Sequence, residues 1–411
     1  MGAPPSGEVE SGIAARAAGR GARVRRALSL SLLANHFPAL HGMRVVGIVG
    51  VLQFHVTTMF ADARIPLNQD WIQFSMSLFF GMDLFFVLSG FLIGTMILQA
   101  LDAGRGQRPL RFYARRSFRI FPLYYVVLLF LAATLHLNAT QKANFWRELV
   151  YLTNTAPVVE RWTLVMNYGW SLCVEEHFYL AAPLLIWGLA RLRSHRARLL
   201  ALTLLWASAS FIRLWVVHHR ATPWNDTALF QTVYVRTWSR FDTIIAGVFI
   251  AYLHAHFADD FRRLFEAPRW RRLFGGVALA CLWVLLFPRM FGDRLYWDVR
   301  ALSFGTITSV MYVAYLLLML HADAWGKRFF SARPFLYAAT LGYGIYLVHM
   351  PLFDVAVLPI TRYLLERWHA ATTLVWPISL VLLWCFSAAV AWVLHVGVEK
   401  PALWLRDRFA P

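Results

Sequence analysis

Ten apolar stretches of roughly membrane-spanning length recur along this chain of 411 residues, and they leave few folds open. They run over 43–60, 74–99, 120–137, 172–190, 199–217, 239–256, 273–288, 301–321, 335–361 and 374–396. A helix needs roughly 20 apolar residues to cross a hydrocarbon core of about 30 Å, and inside that core every backbone polar group must be paired within the segment. The pattern predicts an all-α, polytopic transmembrane helical bundle of about ten spans. Hydrophobic residues make up 59% of the sequence, which agrees with that class.

Charge sets the expected orientation. A formal net charge of +18 would point to nucleic acid in a soluble protein, yet here the basic residues collect in short segments between spans, and no nucleic acid is expected. With the N-terminus inside, 26 of the 40 Lys and Arg fall in inner segments and 11 in outer loops, so the positive-inside rule predicts that both termini are cytoplasmic. Arginines outnumber lysines 37 to 3, as in a GC-rich bacterial genome, and a multi-pass helical protein of that origin is expected in the inner membrane. Residues 1–36 are rich in Ala, Gly and Arg and are expected to form a disordered basic cytoplasmic segment, with a transmembrane domain over 37–401 and a short cytoplasmic tail over 402–411. Cys173, Cys281 and Cys385 are too few and too scattered for a disulfide framework or a zinc site, and no metal is expected.

Ionisable side chains within a span are expensive, about 2.5 kcal/mol or more for an arginine, and mark function by default. Arg44 and His55 stand eleven residues apart in the first stretch, about three helical turns, so they share one face roughly 16 Å apart along the axis. Arg116 and Arg119, just before the third stretch, share a face and end on the same side of the membrane as Arg44. Three such arginines suit a phosphate, or a lipid headgroup surface. Deeper, His55, Asp83, Glu175 and His349 enter from four spans at overlapping depths, with Trp170 and Glu176 beside them. A histidine near a carboxylate suits general-base work. On residue chemistry alone two functions stay open: an enzyme with its base between two membrane faces, or a proton-coupled transporter or flippase using the same His and carboxylates as a relay. The arginine cluster separates them, because a phosphate-bearing donor needs it and a proton-coupled carrier does not.

Seven blocks, in order between residues 40 and 401, resemble the membrane-bound acyltransferase family 3, whose members O-acylate carbohydrates and some other acceptors. They are Arg44 with His55, Gly81 to Ile93, Arg116 to Pro122, Trp170 to Leu180, Arg240-Phe241-Asp242, Gly342 to His349, and Val398-Glu399-Lys400-Pro401. The resemblance implies transfer of an acyl group, expected to be acetyl, from cytoplasmic acyl-CoA to a hydroxyl of an envelope carbohydrate such as lipopolysaccharide or exopolysaccharide. Arg44, Arg116 and Arg119 would hold the CoA phosphates. His55, oriented by Asp83 or Glu175, would serve as base or transient acyl carrier. Trp170, Glu176, Arg240, Tyr346 and His349 would contact substrate, and Tyr346, Ser89 or Trp170 would supply the oxyanion donor. The family usually has an acidic residue where His41 stands, which leaves the details of that end of the first span open. Many relatives also carry a soluble esterase-like domain after the last span; with none here, the transfer is expected to finish in the membrane unit or to pass to a partner.

Overall fold

The computed structural model describes residues 29, 30, 32, 37–102, 109–219, 223–322 and 325–409. The segment 1–36 expected to be disordered therefore lies, three positions apart, outside the described residues. Among those described, every regular element is helical. The principal helices are α1 (Pro38–Asp62), α2 (Gly81–Asp102), α3 (Pro109–Thr134), α4 (Ala139–Leu149), α5 (Trp170–Arg191), α6 (His195–His219), α7 (Thr237–Glu266), α8 (Pro268–Leu286), α9 (Thr308–His321), α10 (Arg333–Leu352), α11 (Thr372–Leu394) and α12 (Lys400–Phe409). Shorter helical turns extend several of them, so that α10 continues to Arg367 and α11 runs on into α12.

Nine of these stretches, among the described residues, are long and apolar enough to cross a membrane, against the ten expected. The missing one is 273–288. It falls on α8, a helix of 19 residues whose first turn carries Arg269, Arg271 and Arg272, so only its later part is apolar. The long connection after α3 holds a further helix, α4, where Asn138 and Gln141 cap each other's backbone N–H groups.

The bundle is centred on the crossing of α2 and α7, where Gly90 and Gly247 meet. A Cβ added at Gly90 would stand 2.0 Å from the Ile244 carbonyl oxygen, and one at Gly247 would stand 2.0 Å from that of Val87. Only glycine allows this approach, and in lipid such close backbone packing replaces the hydrophobic drive that water gives a soluble core. α1 packs beside this pair and is flanked on its other side by α10 and α11.

Two ion pairs are sealed into the bundle. Arg240 on α7 donates to Asp83 on α2 at 2.6 Å, and Arg213 on α6 donates to Asp242 on α7 at 2.6 Å; all four side chains are 0% exposed. Arg213 also reaches Thr306 at 2.6 Å and the Ser239 carbonyl oxygen. The guanidinium of Arg240 lies over the Tyr234 ring, 4.4 Å from its centroid. Charges taken out of water persist only when paired in this way.

Candidate active site

One cavity of about 290 Å³ runs from the arginines to His349. α1 contributes Arg44, Ile48, Val51 and Leu52; α2 contributes Met82, Phe85, Leu88 and Ser89. α3 adds Arg116 and Arg119, α5 adds Ser171, Glu175 and Tyr179, and α10 adds Tyr343, Tyr346 and His349. The helical period explains the α1 set: Arg44, Ile48, Val51 and His55 follow one another at intervals of four, three and four, a single stripe down the helix.

At the deep end, Nδ1 of His55 lies 2.7 Å from Nε2 of His349, and the two rings are stacked 4.8 Å apart. His349 is fully buried, whereas His55 is partly exposed. Nδ1 of His349 lies 2.6 Å from the Tyr346 carbonyl oxygen. A carbonyl only accepts, so in a neutral His349 the proton is on Nδ1 and Nε2 carries the lone pair. His55 must then donate from Nδ1, and its own Nε2 is left with a lone pair. The pair thus presents one defined basic nitrogen.

The sequence of α10 prepares this arrangement. Pro351 has no N–H to give the Leu347 carbonyl four residues earlier, and that oxygen instead accepts the Tyr168 hydroxyl at 2.7 Å. The Tyr168 ring then meets His349 edge-on, centroids 5.3 Å apart. Tyr346, one turn before His349, is held through its hydroxyl by Ser171 at 2.6 Å and by the Tyr168 carbonyl at 2.5 Å.

Toward the other end, Ser89 donates to Glu175 at 2.9 Å and Tyr179 donates to the other carboxylate oxygen at 3.1 Å. Arg116 stacks on the Tyr179 ring at 3.9 Å. Arg119 is paired with Glu399 at 3.1 Å, and Glu399 in turn bonds Nδ1 of His395 at 2.7 Å. Arg44 and Arg116 make no ion pair among the described residues.

The structure thus brings together Arg44, Arg116, Arg119, Glu175, Tyr346 and His349, with His55 bonded to the last. It places other expected residues elsewhere. Asp83, expected to orient His55, is committed to Arg240, and neither lines the cavity. Glu175, the alternative orienting group, has both oxygens engaged by Ser89 and Tyr179, and the partner of His55 is His349 instead. Trp170 packs among Phe86, Phe230 and Tyr234, and Glu176 does not line the cavity. Sequence reading passed over Tyr179, although its place four residues after Glu175 on one helix was a signal for a side-chain pair. It also gave Glu399 and Tyr168 no role; no local pattern announces a contact such as that from Tyr168 to Leu347, 179 positions away.

A family model described as an acyltransferase domain matches residues 37–396. The O-acetyltransferase OatA of Staphylococcus aureus (strain NCTC 8325 / PS 47) is 25% identical over 336 residues, covering 77% of this chain and 50% of that protein. The peptidoglycan O-acetyltransferase OatA of Listeria monocytogenes is 25% identical over 352 residues, 80% of this chain and 51% of the relative. A putative O-acetyltransferase of Staphylococcus aureus (strain COL) is 23% identical over 330 residues, 76% of this chain and 50% of the relative. The chain spans about half the length of the curated relatives it matches. No solved structure matches it. Because the family match covers most of the chain and contains every residue that lines the cavity, the chain belongs to this acyltransferase-domain family.

Proposed function

We propose that this chain is an O-acyltransferase that moves an acyl group, acetyl by analogy with its relatives' names, from acyl-CoA to a hydroxyl of an envelope polysaccharide. The observation that carries the reading is one cavity with cations at one end and, at the other, His349 bonded to His55. At about 290 Å³ it is near the lower end of ligand clefts, roughly 300–1,000 Å³, and suits a slender chain such as the pantetheine arm better than a whole nucleotide. Arg44 and Arg116, having no ion-pair partner among the described residues, are the cations available to the phosphates at the mouth, with Arg119 held beside them by Glu399.

In the reaction, Nε2 of His55 takes the proton of the acceptor hydroxyl as its oxygen attacks the thioester carbonyl. The carbon–sulfur bond then breaks, and the imidazolium returns the proton to the departing thiolate, giving the ester and free CoA. His349 accepts from His55 throughout, so the charge that develops on His55 strengthens an existing hydrogen bond. Tyr346 and Ser89 line the same space, but the one proton of each hydroxyl is already given, to the Tyr168 carbonyl and to Glu175, so either must exchange that partner to serve as the oxyanion donor. The carrier reading is less well supported, because Asp83 and Asp242 are each fixed to a buried arginine.

The arginine-bearing ends face the cytoplasm in this reading, by the positive-inside rule. Two cytoplasmic termini require an even number of crossings, so in this reading α8 passes through the bilayer as the tenth span, and the membrane is the inner one.

Purified protein in liposomes, given acetyl-CoA labelled in the acetyl group and a peptidoglycan or other envelope glycan, should form an alkali-labile labelled ester. Arg44→Lys and Arg116→Lys keep the charge but lose the forked geometry, and should raise the apparent KM for acetyl-CoA about tenfold, equivalent to about 1.5 kcal/mol for one charged hydrogen bond. Transfer with unchanged donor KM in both variants would remove the phosphates from the arginines. Absence of transfer from acetyl-CoA, with acylation by another donor, would replace CoA itself.

A further inference from the structure

A second cavity, about 410 Å³, opens among α6, α7, α8 and α9 and has no part in the chemistry above. Its wall is apolar: Trp206, Phe249, Phe274, Val277 and Val313 dominate it. Ser309, one of its few polar members, donates its hydroxyl to the Gly305 carbonyl of its own helix at 2.6 Å, and so presents no free donor.

The helix that forms one wall is unusual. The apolar part of α8 runs from Leu273 to Leu286, about 21 Å at 1.5 Å per residue, against a hydrocarbon core of about 30 Å. A helix this short forces the bilayer beside it to thin or draws polar groups inward. Immediately before Leu273, one of the groove residues, stand Arg269, Arg271 and Arg272, all exposed and without an ion pair among the described residues. Arg263, near the adjoining end of α7, is exposed at the same end, where Arg262 is paired with Asp259. An apolar groove within the membrane, ending one turn from three exposed arginines that make no ion pair among the described residues, matches a molecule with a hydrocarbon tail and a negative head.

We propose that this groove is a binding site for one anionic phospholipid, its acyl chain between α6, α7, α8 and α9 and its phosphate against Arg269, Arg271 and Arg272.

The test uses the full chain in nanodiscs of equal phosphatidylglycerol and phosphatidylcholine, with retained lipid identified by native mass spectrometry. The expected result is one retained phosphatidylglycerol. Each Arg→Gln change at 269, 271 or 272 should lower its retention about fivefold, the usual loss for one basic side chain at an anionic surface, while Arg→Lys leaves it unchanged. Val277→Trp, which fills the groove, should abolish retention with the arginines intact. Phosphatidylcholine retained as well as phosphatidylglycerol overturns the headgroup contact, and phosphatidylglycerol retained in both the Gln and Trp variants overturns the site. The measurement needs no turnover, so its failure is distinct from failure of the acyltransferase reading.

Discussion

A neutral histidine whose Nδ1 faces a carbonyl has a single tautomer, and at His349 that constraint fixes the state of His55 as well. His55→Ala should lower turnover by about 10² to 10⁴, the range for loss of a general base, with donor binding retained. His349→Phe keeps a ring of similar size but removes the acceptor for His55; its turnover should fall less, and the pH dependence of turnover should shift, both read from ester formation across pH 5 to 9. Arg44 and His55 were legible in the sequence because their spacing repeats a local helical period. Their partners were not, since His55 meets His349 across 294 positions and Asp83 meets Arg240 across 157. Depth along the membrane normal brought Asp83 near the level of His55, but depth carries no information about the angle around the bundle. A different residue governs pH behaviour outside the spans. Burial of Glu148 on α4 raises its carboxyl from 4.5 to about 7, opposed by the N–H groups of Met166 and Val165 that it accepts. A folded value above the unfolded one means that stability is full below about 4.5 and is lost as pH rises through about 7. The melting temperature should therefore fall between pH 5 and pH 8, and Glu148→Gln, which keeps an acceptor without the charge, should flatten that profile.

Among the elements, α2, α7 and α10 do most to place the site. The α2–α7 crossing admits no side chain at Gly90 or Gly247, so Gly247→Leu should prevent the helices from packing and yield protein that aggregates on size-exclusion chromatography. On α10, Pro351 was visible in the sequence as a residue that interrupts helical hydrogen bonding, but nothing local said which group would take the released carbonyl. Tyr168→Phe leaves the oxygen of buried Leu347 without its hydroxyl donor and should destabilise the protein by about 1–3 kcal/mol, visible as a lower melting temperature. Long apolar helices were the easiest elements to read, because length and hydropathy alone define them. α8 was the hardest, since an apolar run of 14–16 residues satisfies a hydropathy window while falling short of a full crossing.

For the whole molecule, the passage of α8 decides whether the two ends of the chain lie on the same side. With Cys173, Cys281 and Cys385 replaced by serine, Arg271→Cys and Arg289→Cys place thiols at the two ends of this helix. A membrane-impermeant thiol reagent applied to intact cells should label position 289 and spare 271 until the membrane is opened; equal labelling would make α8 re-entrant. The general architecture was readable because the bilayer restricts the options to helices that satisfy themselves. What the bilayer does not dictate is how those helices are arranged around the cavity, and that depends on pairs such as Arg119 with Glu399 that lie far apart in the chain.

The ion pair between Asp83 and Arg240 also imposes an order on biosynthesis. Asp83 is alone when its helix enters the membrane, and an aspartate at mid-span costs roughly 2.5–3.5 kcal/mol during insertion. At about 5–20 residues per second, the ribosome delivers Arg240 roughly 8–30 seconds after Asp83, given the 157 positions between them. Through that interval the carboxylate of Asp83 lacks the arginine that pairs with it in the folded bundle. A message truncated before Thr237 should therefore yield a product that membrane proteases clear, whereas the same truncation with Asp83→Leu should persist.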